Sequence, residues 1–160
     1  MRTVSFRQSC IYGYRQFGVE DQGWIAWFTI GAQFKQPLTI FGDGKQVRDA
    51  LFIDDLVRAY ELAIERIDEV SGEALNVGGG PAFTLSLLEL VELVENLQGH
   101  RIDVSFGDWR PGDQKVFYCD LAKIERLLGW RPSTKPADGV AKLHAWCRDN
   151  HDLLAGVLHL

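Results

Sequence analysis

Arg48 is the residue whose type and setting first suggest binding chemistry. It lies in residues 46–52, a short segment predicted to be a partly buried strand, directly after the turn Gly42-Asp43-Gly44. An arginine on a rigid strand beside a tight turn can present its planar guanidinium as a fork to a carboxylate or a phosphate. The alternative is a solvated arginine paired with Asp43 or Asp49, since exposed ion pairs are common and contribute little. From this segment alone, both interpretations stay open.

Two tryptophans on one predicted helix are the next candidates. Residues 22–34 show helical spacing, Asp21 is a plausible N-cap, and Trp24 and Trp27 fall on the same face. Such a face usually belongs to the core, which is the expectation for Trp27. Trp24, in the first turn, could instead form the wall of a ligand site.

Several other kinds of site are disfavoured by the sequence. The three cysteines are widely spaced and lack CxxC pairing, which argues against a disulfide framework or structural zinc and for a reducing compartment. The run Gly78-Gly79-Gly80 lacks the Lys-Ser/Thr ending and the GxGxxG spacing of phosphate loops, so it predicts a turn that ends a strand. The net charge of -5, with scattered basic residues, gives no footprint for nucleic acid, and no apolar run is long enough to span a membrane. A cytoplasmic location is predicted.

The elements that must position these residues alternate between strands and amphipathic helices. A hydrophobic content of 46% in 160 residues is enough for one domain with a sizeable core. Strands are predicted at residues 3–9, 38–41, 46–52, 74–77, 101–106 and 116–118, and helices at residues 22–34, 54–66, 86–98, 120–128 and 136–150. Residues 11–18 are predicted to form a loop, and the tail at 152–160 to pack without a motif. The helix at 54–66 is predicted to bury Leu56, Val57, Tyr60 and Ile64. The pattern as a whole is typical of an α/β fold.

The chain resembles the NAD-dependent nucleotide-sugar epimerase/dehydratase family, the extended short-chain dehydrogenase/reductases, in six ordered motifs. These motifs are Arg7-Gln8-Ser9-Cys10-Ile11-Tyr12-Gly13, Gly42-Asp43-Gly44 with Arg48-Asp49 and Asp55, Asn76-Val77-Gly78-Gly79-Gly80, Arg110-Pro111-Gly112-Asp113-Gln114, Asp120-x-x-Lys123, and Leu128-Gly129-Trp130-x-Pro132. The resemblance implies the C-terminal part of a Rossmann-type enzyme, mainly its small substrate-binding α/β domain. Residues 1–20 would be the last part of the Rossmann-like sheet with the active-site loop, and residues 21–160 the substrate-binding subdomain. Arg15-Gln16-Phe17, Asp21-Gln22-Gly23-Trp24 and Trp27-Phe28 narrow the resemblance to one enzyme type, which epimerises C2 of the sugar.

The resemblance implies a site for the nucleotide part of a nucleotide sugar. Arg48 and Arg110 would grip the diphosphate, a task suited to planar, permanently charged guanidinium groups. Asp113 would accept hydrogen bonds from the ribose hydroxyls, and Phe41 would make an apolar contact with the nucleobase. For Phe41, core packing explains an aromatic side chain equally well.

The resemblance also implies contacts made by a helix N-terminus and contacts with a cofactor. Gln22 and Trp24 would lie where free N–H groups at the helix start approach the substrate nucleotide. Gln8 and Ser9 would lie near the nicotinamide of NAD. No catalytic residue and no metal ligand is assigned.

Two parts of the family pattern have no match in this sequence. The G-x-x-G-x-x-G loop that holds the pyrophosphate of NAD does not occur. The catalytic Tyr-x-x-x-Lys is also missing, because the residues four positions after the tyrosines are Gln16, Gly18, Ile64 and Ala122. We therefore expect a truncated product, with NAD as the cofactor of the complete enzyme but not bound by this chain alone.

The leading hypothesis is the substrate-binding half of an NAD-dependent nucleotide-sugar epimerase that acts by transient oxidation of a sugar carbon. The alternatives are a fragment of a 4-epimerase or dehydratase, and a non-catalytic nucleotide-binding remnant. The expected partner is a nucleotide sugar, and a second copy of the chain or a separate N-terminal half could be further partners. No nucleic acid or membrane partner is expected.

Overall fold

Short strands, most of them paired in parallel, and flanking helices make up the chain, as described for residues 1–158 in a computed structural model. The strands are β1 (Ser5–Gln8), β2 (Cys10–Tyr12), β3 (Leu38–Phe41), β4 (Val47–Phe52), β5 (Ala74–Val77), β6 (Thr84–Ser86), β7 (Val104–Gly107) and β8 (Val116–Phe117). The helices are α1 (Trp24–Gln33), α2 (Ile53–Glu65), α3 (Ile67–Val70), α4 (Leu87–Gln98), α5 (Ala122–Leu128), α6 (Pro136–Asp149) and α7 (His151–Leu158). The predicted α/β class is confirmed, and residues 159–160 of the predicted tail lie outside the described residues.

Strand β4 is central to the site because it has three neighbours. It pairs in parallel with β2 and β8 and antiparallel with β6. Its last residues are fully buried, as expected for a strand covered on both faces. Successive side chains of β4 point to opposite faces and pack in different hydrophobic clusters. Phe52 packs in the cluster under α1, α4 and α6, and Leu51 packs in the cluster under α2 and α5. The backbone of Arg48 is therefore held by a neighbouring strand on each side, β6 and β8.

The predicted loop at residues 11–18 is wrong at its start, because residues 11 and 12 belong to β2. This strand forms by pairing Cys10 with Ala50 and Tyr12 with Phe52, which are 40 positions away along the chain. Local sequence carries little signal for such a short strand. In addition, β1 pairs in parallel with β5. Residues before position 20 thus share sheets with later ones, and the division of the chain at residue 20 stays a prediction.

The predicted inward face of α2 is wrong in most of its residues. Leu56 is buried, but Val57, Tyr60 and Ile64 are 46%, 36% and 73% exposed. The buried side chains of the helix are instead one leucine, two alanines and one hydrogen-bonded carboxylate, namely Leu56, Ala59, Ala63 and Asp55. The reason is the carboxylate of Asp55, which accepts hydrogen bonds from Ser133 and Thr134 and so fixes the rotation of the helix.

Two helical glycines give a matched test of packing. A Cβ on Gly139 of α6 would lie 2.8 Å from Cζ of Tyr12 and 2.9 Å from Cδ2 of Phe52, both in fully buried rings. Gly156 of α7 has nothing within 4 Å of the same position. We expect Gly139→Ala to lower the free energy of unfolding by about 1–3 kcal/mol through overpacking. Gly156→Ala should raise it by up to about 1 kcal/mol, because alanine favours the helix.

Denaturant unfolding of the two variants beside the unaltered chain provides the measurement. Equal stability of the Gly139→Ala variant and the unaltered chain would contradict the packing of Tyr12 against α6.

Candidate functional site

One pocket brings together all six residues predicted to bind the substrate. They are Gln22, Trp24, Phe41, Arg48, Arg110 and Asp113. They come from the first residue of α1 and the segment just before it, the end of β3, the start of β4, and the loop after β7. The cavity volume is about 170 Å³, which is below the range of roughly 300–1,000 Å³ typical of small-molecule sites. The pocket is therefore large enough for only part of a ligand the size of a nucleotide sugar.

Arg48 is a cation without a carboxylate partner among residues 1–158. Its position on β4 lies between Leu85 of β6 and Phe117 of β8. The Nη1 group donates to the carbonyl oxygen of Val47 at 2.9 Å. The side chain is half-buried at the pocket, so the guanidinium has hydrogen-bond donors left for an anion.

The alternative pairing of Arg48 with Asp43 or Asp49 is wrong. The carboxylate of Asp43 accepts from the backbone N–H of Lys45 at 2.9 Å, a contact within the turn. Asp49 is fully buried, on the opposite side of the strand from Arg48, as the alternation of a strand requires. Neither carboxylate neutralises the arginine.

Asp49, the residue after Arg48, instead connects three separate segments of the chain through hydrogen bonds to its carboxylate. One carboxylate oxygen accepts from the hydroxyl of Ser9, and the other accepts from Gly80 N–H at 3.0 Å and from Cys119 N–H at 3.2 Å. The Cys119 thiol also donates, with 3.0 Å between Sγ and Oδ2. Burial, and then the hydrogen bond to Asp49, raise the pKa of this thiol to about 12, so it stays protonated and able to donate. Asp49 thus fixes the backbone that carries Arg48.

Arg110 differs from Arg48 because it is already engaged. Its Nη1 donates to Oδ1 of Asp21 at 2.8 Å, and its Cζ lies 3.8 Å from the centre of the Phe41 ring. The prediction that Asp21 caps α1 is wrong. The N-cap is Gly23, whose φ of 77° turns the chain into the helix without a side-chain cap. The carboxylate of Asp21 instead accepts from Arg110, which is 89 positions away in the sequence.

The start of α1 offers backbone donors to the pocket. Among residues 1–158, no side chain caps this terminus, and its first turn contains no acidic residue. The first N–H groups of a helix lack intrahelical partners, and the helix dipole favours negative charge there. Both Gly23 and Trp24 line the pocket, so these donors lie at its edge.

Trp24 is held in place by a hydrogen bond from its indole Nε1 to Sγ of Cys10 at 3.1 Å. Burial raises the pKa of the Cys10 thiol to about 11 despite this bond, so the sulfur accepts as a neutral thiol. Trp27, expected in the core, packs against the core and lines the pocket as well. Its spacing of three from Trp24 was the signal that could have placed it in the site.

The remaining predicted contact residues, Gln22 and Asp113, differ in how many of their polar groups already have hydrogen-bond partners. Both backbone groups of Gln22 pair with Val19, with 2.9 and 3.0 Å between N and O, which leaves its side chain at the pocket. The carboxylate of Asp113 has no hydrogen-bond partner within residues 1–158, and its exposed side chain lines the pocket. Gln46 was not predicted; it lines the pocket too and donates from Nε2 to the carbonyl of Phe41 at 2.7 Å.

Gln8 and Ser9, predicted to lie near NAD, fall outside this pocket. The amide of Gln8 bonds the hydroxyl of Tyr60, and the hydroxyl of Ser9 bonds Asp49. With these polar groups engaged and no Gly-rich loop in the sequence, the described residues do not fit NAD. Their assignment to the cofactor stays a prediction.

Among residues 1–158, no cluster of three or more His, Cys, Asp or Glu side chains could hold a metal ion. No helix in that range has the length and apolar character needed to cross a membrane.

Comparison with known proteins defines the class. The family model described as "NAD dependent epimerase/dehydratase family" matches residues 1–78. A CDP-paratose 2-epimerase from Salmonella typhi is 40% identical over 153 residues, which cover 91% of this chain and 45% of the relative. The chain belongs to the NAD dependent epimerase/dehydratase family.

Solved structures agree on the fold. The UDP-glucuronic acid 4-epimerase from Bacillus cereus, in complex with UDP-glucuronic acid and NAD, aligns with a TM-score of 0.82 and 30% identity, over 93% of this chain and 46% of that one. The UDP-glucose 4-epimerase from Thermotoga maritima, with UDP-glucose, aligns with a TM-score of 0.82 and 29% identity, over 92% and 46%. The chain thus spans about half the length of the relatives it matches.

Proposed function

We propose that this chain forms the substrate-binding part of a nucleotide-sugar epimerase of the CDP-paratose 2-epimerase type, and that its pocket binds the nucleoside diphosphate. One observation carries the proposal: Arg48, which has no carboxylate partner among residues 1–158, shares a pocket with the uncapped start of α1. A guanidinium fork and a helix N-terminus that face the same space are suited to phosphate oxygens.

The other pocket residues complete a nucleotide site in this proposal. Arg110 is the second cation for the diphosphate, the free carboxylate of Asp113 accepts from the ribose hydroxyls, and Phe41 contacts the nucleobase. The pocket volume of about 170 Å³ leaves the sugar outside. We assign the sugar contacts and the binding of NAD to polypeptide beyond this chain, so the part played by these residues is to bind and orient the nucleotide.

The 2-epimerase type is favoured by sequence. The identity is 40% with the CDP-paratose 2-epimerase, against 29% and 30% with the two solved 4-epimerases. A 4-epimerase acting on a UDP sugar is the second candidate, because both solved relatives contain UDP sugars and share the fold at a TM-score of 0.82.

Calorimetric titration of the chain with CDP, UDP and cytidine separates these candidates. We expect CDP to bind weakly, cytidine to bind far more weakly because it offers no charge to Arg48, and CDP to bind more tightly than UDP. Equal binding of CDP and UDP would remove the support for the 2-epimerase type and leave a nucleotide site. No binding of either diphosphate would overturn the proposal.

A further inference from the structure

The two arginines of the pocket are in different states. Within residues 1–158, the guanidinium of Arg48 donates only to the backbone carbonyl of Val47, whereas Arg110 forms an ion pair with Asp21 at 2.8 Å between Nη1 and Oδ1. The side chain of Asp21 is 88% exposed and that of Arg110 34% exposed, so the pair lies at the mouth of the pocket. An ion pair this exposed contributes little to the stability of the fold.

The ion pair also decides where Arg110 lies. With its guanidinium held by Asp21, Arg110 stacks on the ring of Phe41 with 3.8 Å between Cζ and the ring centre. It therefore covers one face of the ring proposed to contact the nucleobase. In this arrangement, Asp21 occupies donors of Arg110 that a diphosphate would need.

The charges around the pocket bear on this competition. Three carboxylates line it, those of Glu20, Asp21 and Asp113, against the two arginines. Of the three, Asp21 is the one in direct contact with an arginine. A diphosphate that reached Arg110 while Asp21 stayed in place would put like charges side by side, which is unfavourable.

We propose that Asp21 is a stand-in for the anionic ligand: its carboxylate holds Arg110 and must give way when a diphosphate binds. The inference rests on the proposed function for the identity of the anion, and on the Asp21–Arg110 contact for the mechanism. Asp21 then sets the affinity of the site, because any ligand must outcompete its carboxylate. It makes the site selective for ligands with more than one negative charge.

The test replaces Asp21 by its uncharged isostere. Calorimetric titrations with CDP and with inorganic pyrophosphate compare the unaltered chain, Asp21→Asn and Asp68→Asn. Asp68 is a matched control, because it is an exposed aspartate, 79% accessible, paired with Arg2 outside the pocket. We expect Asp21→Asn to tighten CDP binding about threefold or more, and Asp68→Asn to leave it unchanged.

Whether Asp21→Asn raises or lowers the affinity for CDP decides between the two roles of Asp21. A structural defect would weaken binding, so a gain shows that the Asp21 carboxylate opposes the ligand. If Asp21→Asn binds CDP equally or less tightly, Asp21 orients Arg110 for the ligand, and the inference is overturned while nucleotide binding stands. If CDP does not bind but the variant gains affinity for pyrophosphate, the stand-in holds and the nucleotide site is wrong. If none of the chains binds either anion, both are overturned.

Discussion

Replacing Asp55 with alanine is expected to lower the free energy of unfolding by about 3–5 kcal/mol. The carboxylate is fully buried and accepts from Thr134 N–H at 2.8 Å, from Ser133 N–H at 3.1 Å and from the Ser133 hydroxyl at 2.7 Å. It also pairs with Arg58 at 2.7 Å. Truncation leaves several of these donors unsatisfied, and each buried one costs about 1–3 kcal/mol.

Asp55 also ties two distant motifs together. Its backbone carbonyl accepts from Nε1 of Trp130 at 3.0 Å, and Trp130 is itself buried. The start of α2 is therefore fixed to the segment after α5 by both the main chain and the side chain of one residue. The loss of Asp55 should loosen that connection along with α2.

The pH dependence of stability gives an independent check on Asp55. Burial alone would raise the pKa of this carboxyl, but hydrogen bonds from Thr134 and Ser133 and the charge of Arg58 outweigh it and hold the pKa below the usual 3.8. A lowered pKa in the folded state means that the stabilisation is present above the unfolded pKa. It is lost as the pH falls through the folded pKa.

Denaturant unfolding of the unaltered chain, Asp55→Ala and Glu69→Gln from pH 7 down into the acid range provides the measurement. The gap between the unaltered chain and Asp55→Ala should be widest at neutral pH and shrink below about pH 4. Glu69→Gln, an exposed partner of Arg66, should change little at any pH. A gap that stays constant with pH would show that lost packing, and not the carboxylate, causes the effect.

The case of Asp55 shows what sequence reasoning could not reach. The apolar spacing of Val57, Tyr60 and Ile64 predicted a buried stripe, yet all three are exposed. The rotation of α2 is set by donors at Ser133 and Thr134, which are 78 and 79 positions away. Periodicity within a helix carries no information about such partners.

Strands with a clear local signal were predicted well, and two of the very short strands were not. The segment Leu38–Phe41 forms β3 as predicted, because its alternation and the following glycine turn are local. In contrast, β2 and β6 are three-residue strands that exist through pairing with β4. Strand pairing between segments so far apart in the sequence is seen only in the folded chain.

The family resemblance selected six residues that lie together in the fold, but it did not predict their contacts. The family resemblance supplied six residues that the fold brings to one pocket, including Arg48 and Arg110. It could not indicate that Asp21 holds Arg110, or that Asp49 fixes the backbone beside Arg48. Asp49 was recognisable as an unusual carboxylate in a buried strand, but its donors come from three separate segments.

Removing Arg48 is expected to weaken CDP binding by about tenfold or more, which corresponds to about 1.4 kcal/mol. The guanidinium has no carboxylate partner among residues 1–158, so its charge is available to the diphosphate. Truncating one member of a desolvated charge pair costs about 2–5 kcal/mol, and an exposed pair costs far less. The half-buried position of Arg48 in an open pocket favours a loss between these two cases.

Arg110→Ala should also weaken CDP binding, but by less than Arg48→Ala. The substitution removes a cation and at the same time the contact that Asp21 uses to compete with the ligand. These two effects oppose each other in the measured affinity.

The most direct measurement is calorimetric titration of CDP into the unaltered chain, Arg48→Ala, Arg110→Ala and Arg66→Ala at one ionic strength. Arg66 is the matched control, because it lies at the end of α2 outside the pocket and pairs with Glu69. The proposed site predicts a large loss at Arg48, a smaller loss at Arg110 and none at Arg66. Equal losses at all three would show diffuse electrostatic attraction, and unchanged binding at Arg48 would contradict a nucleoside diphosphate site in this pocket.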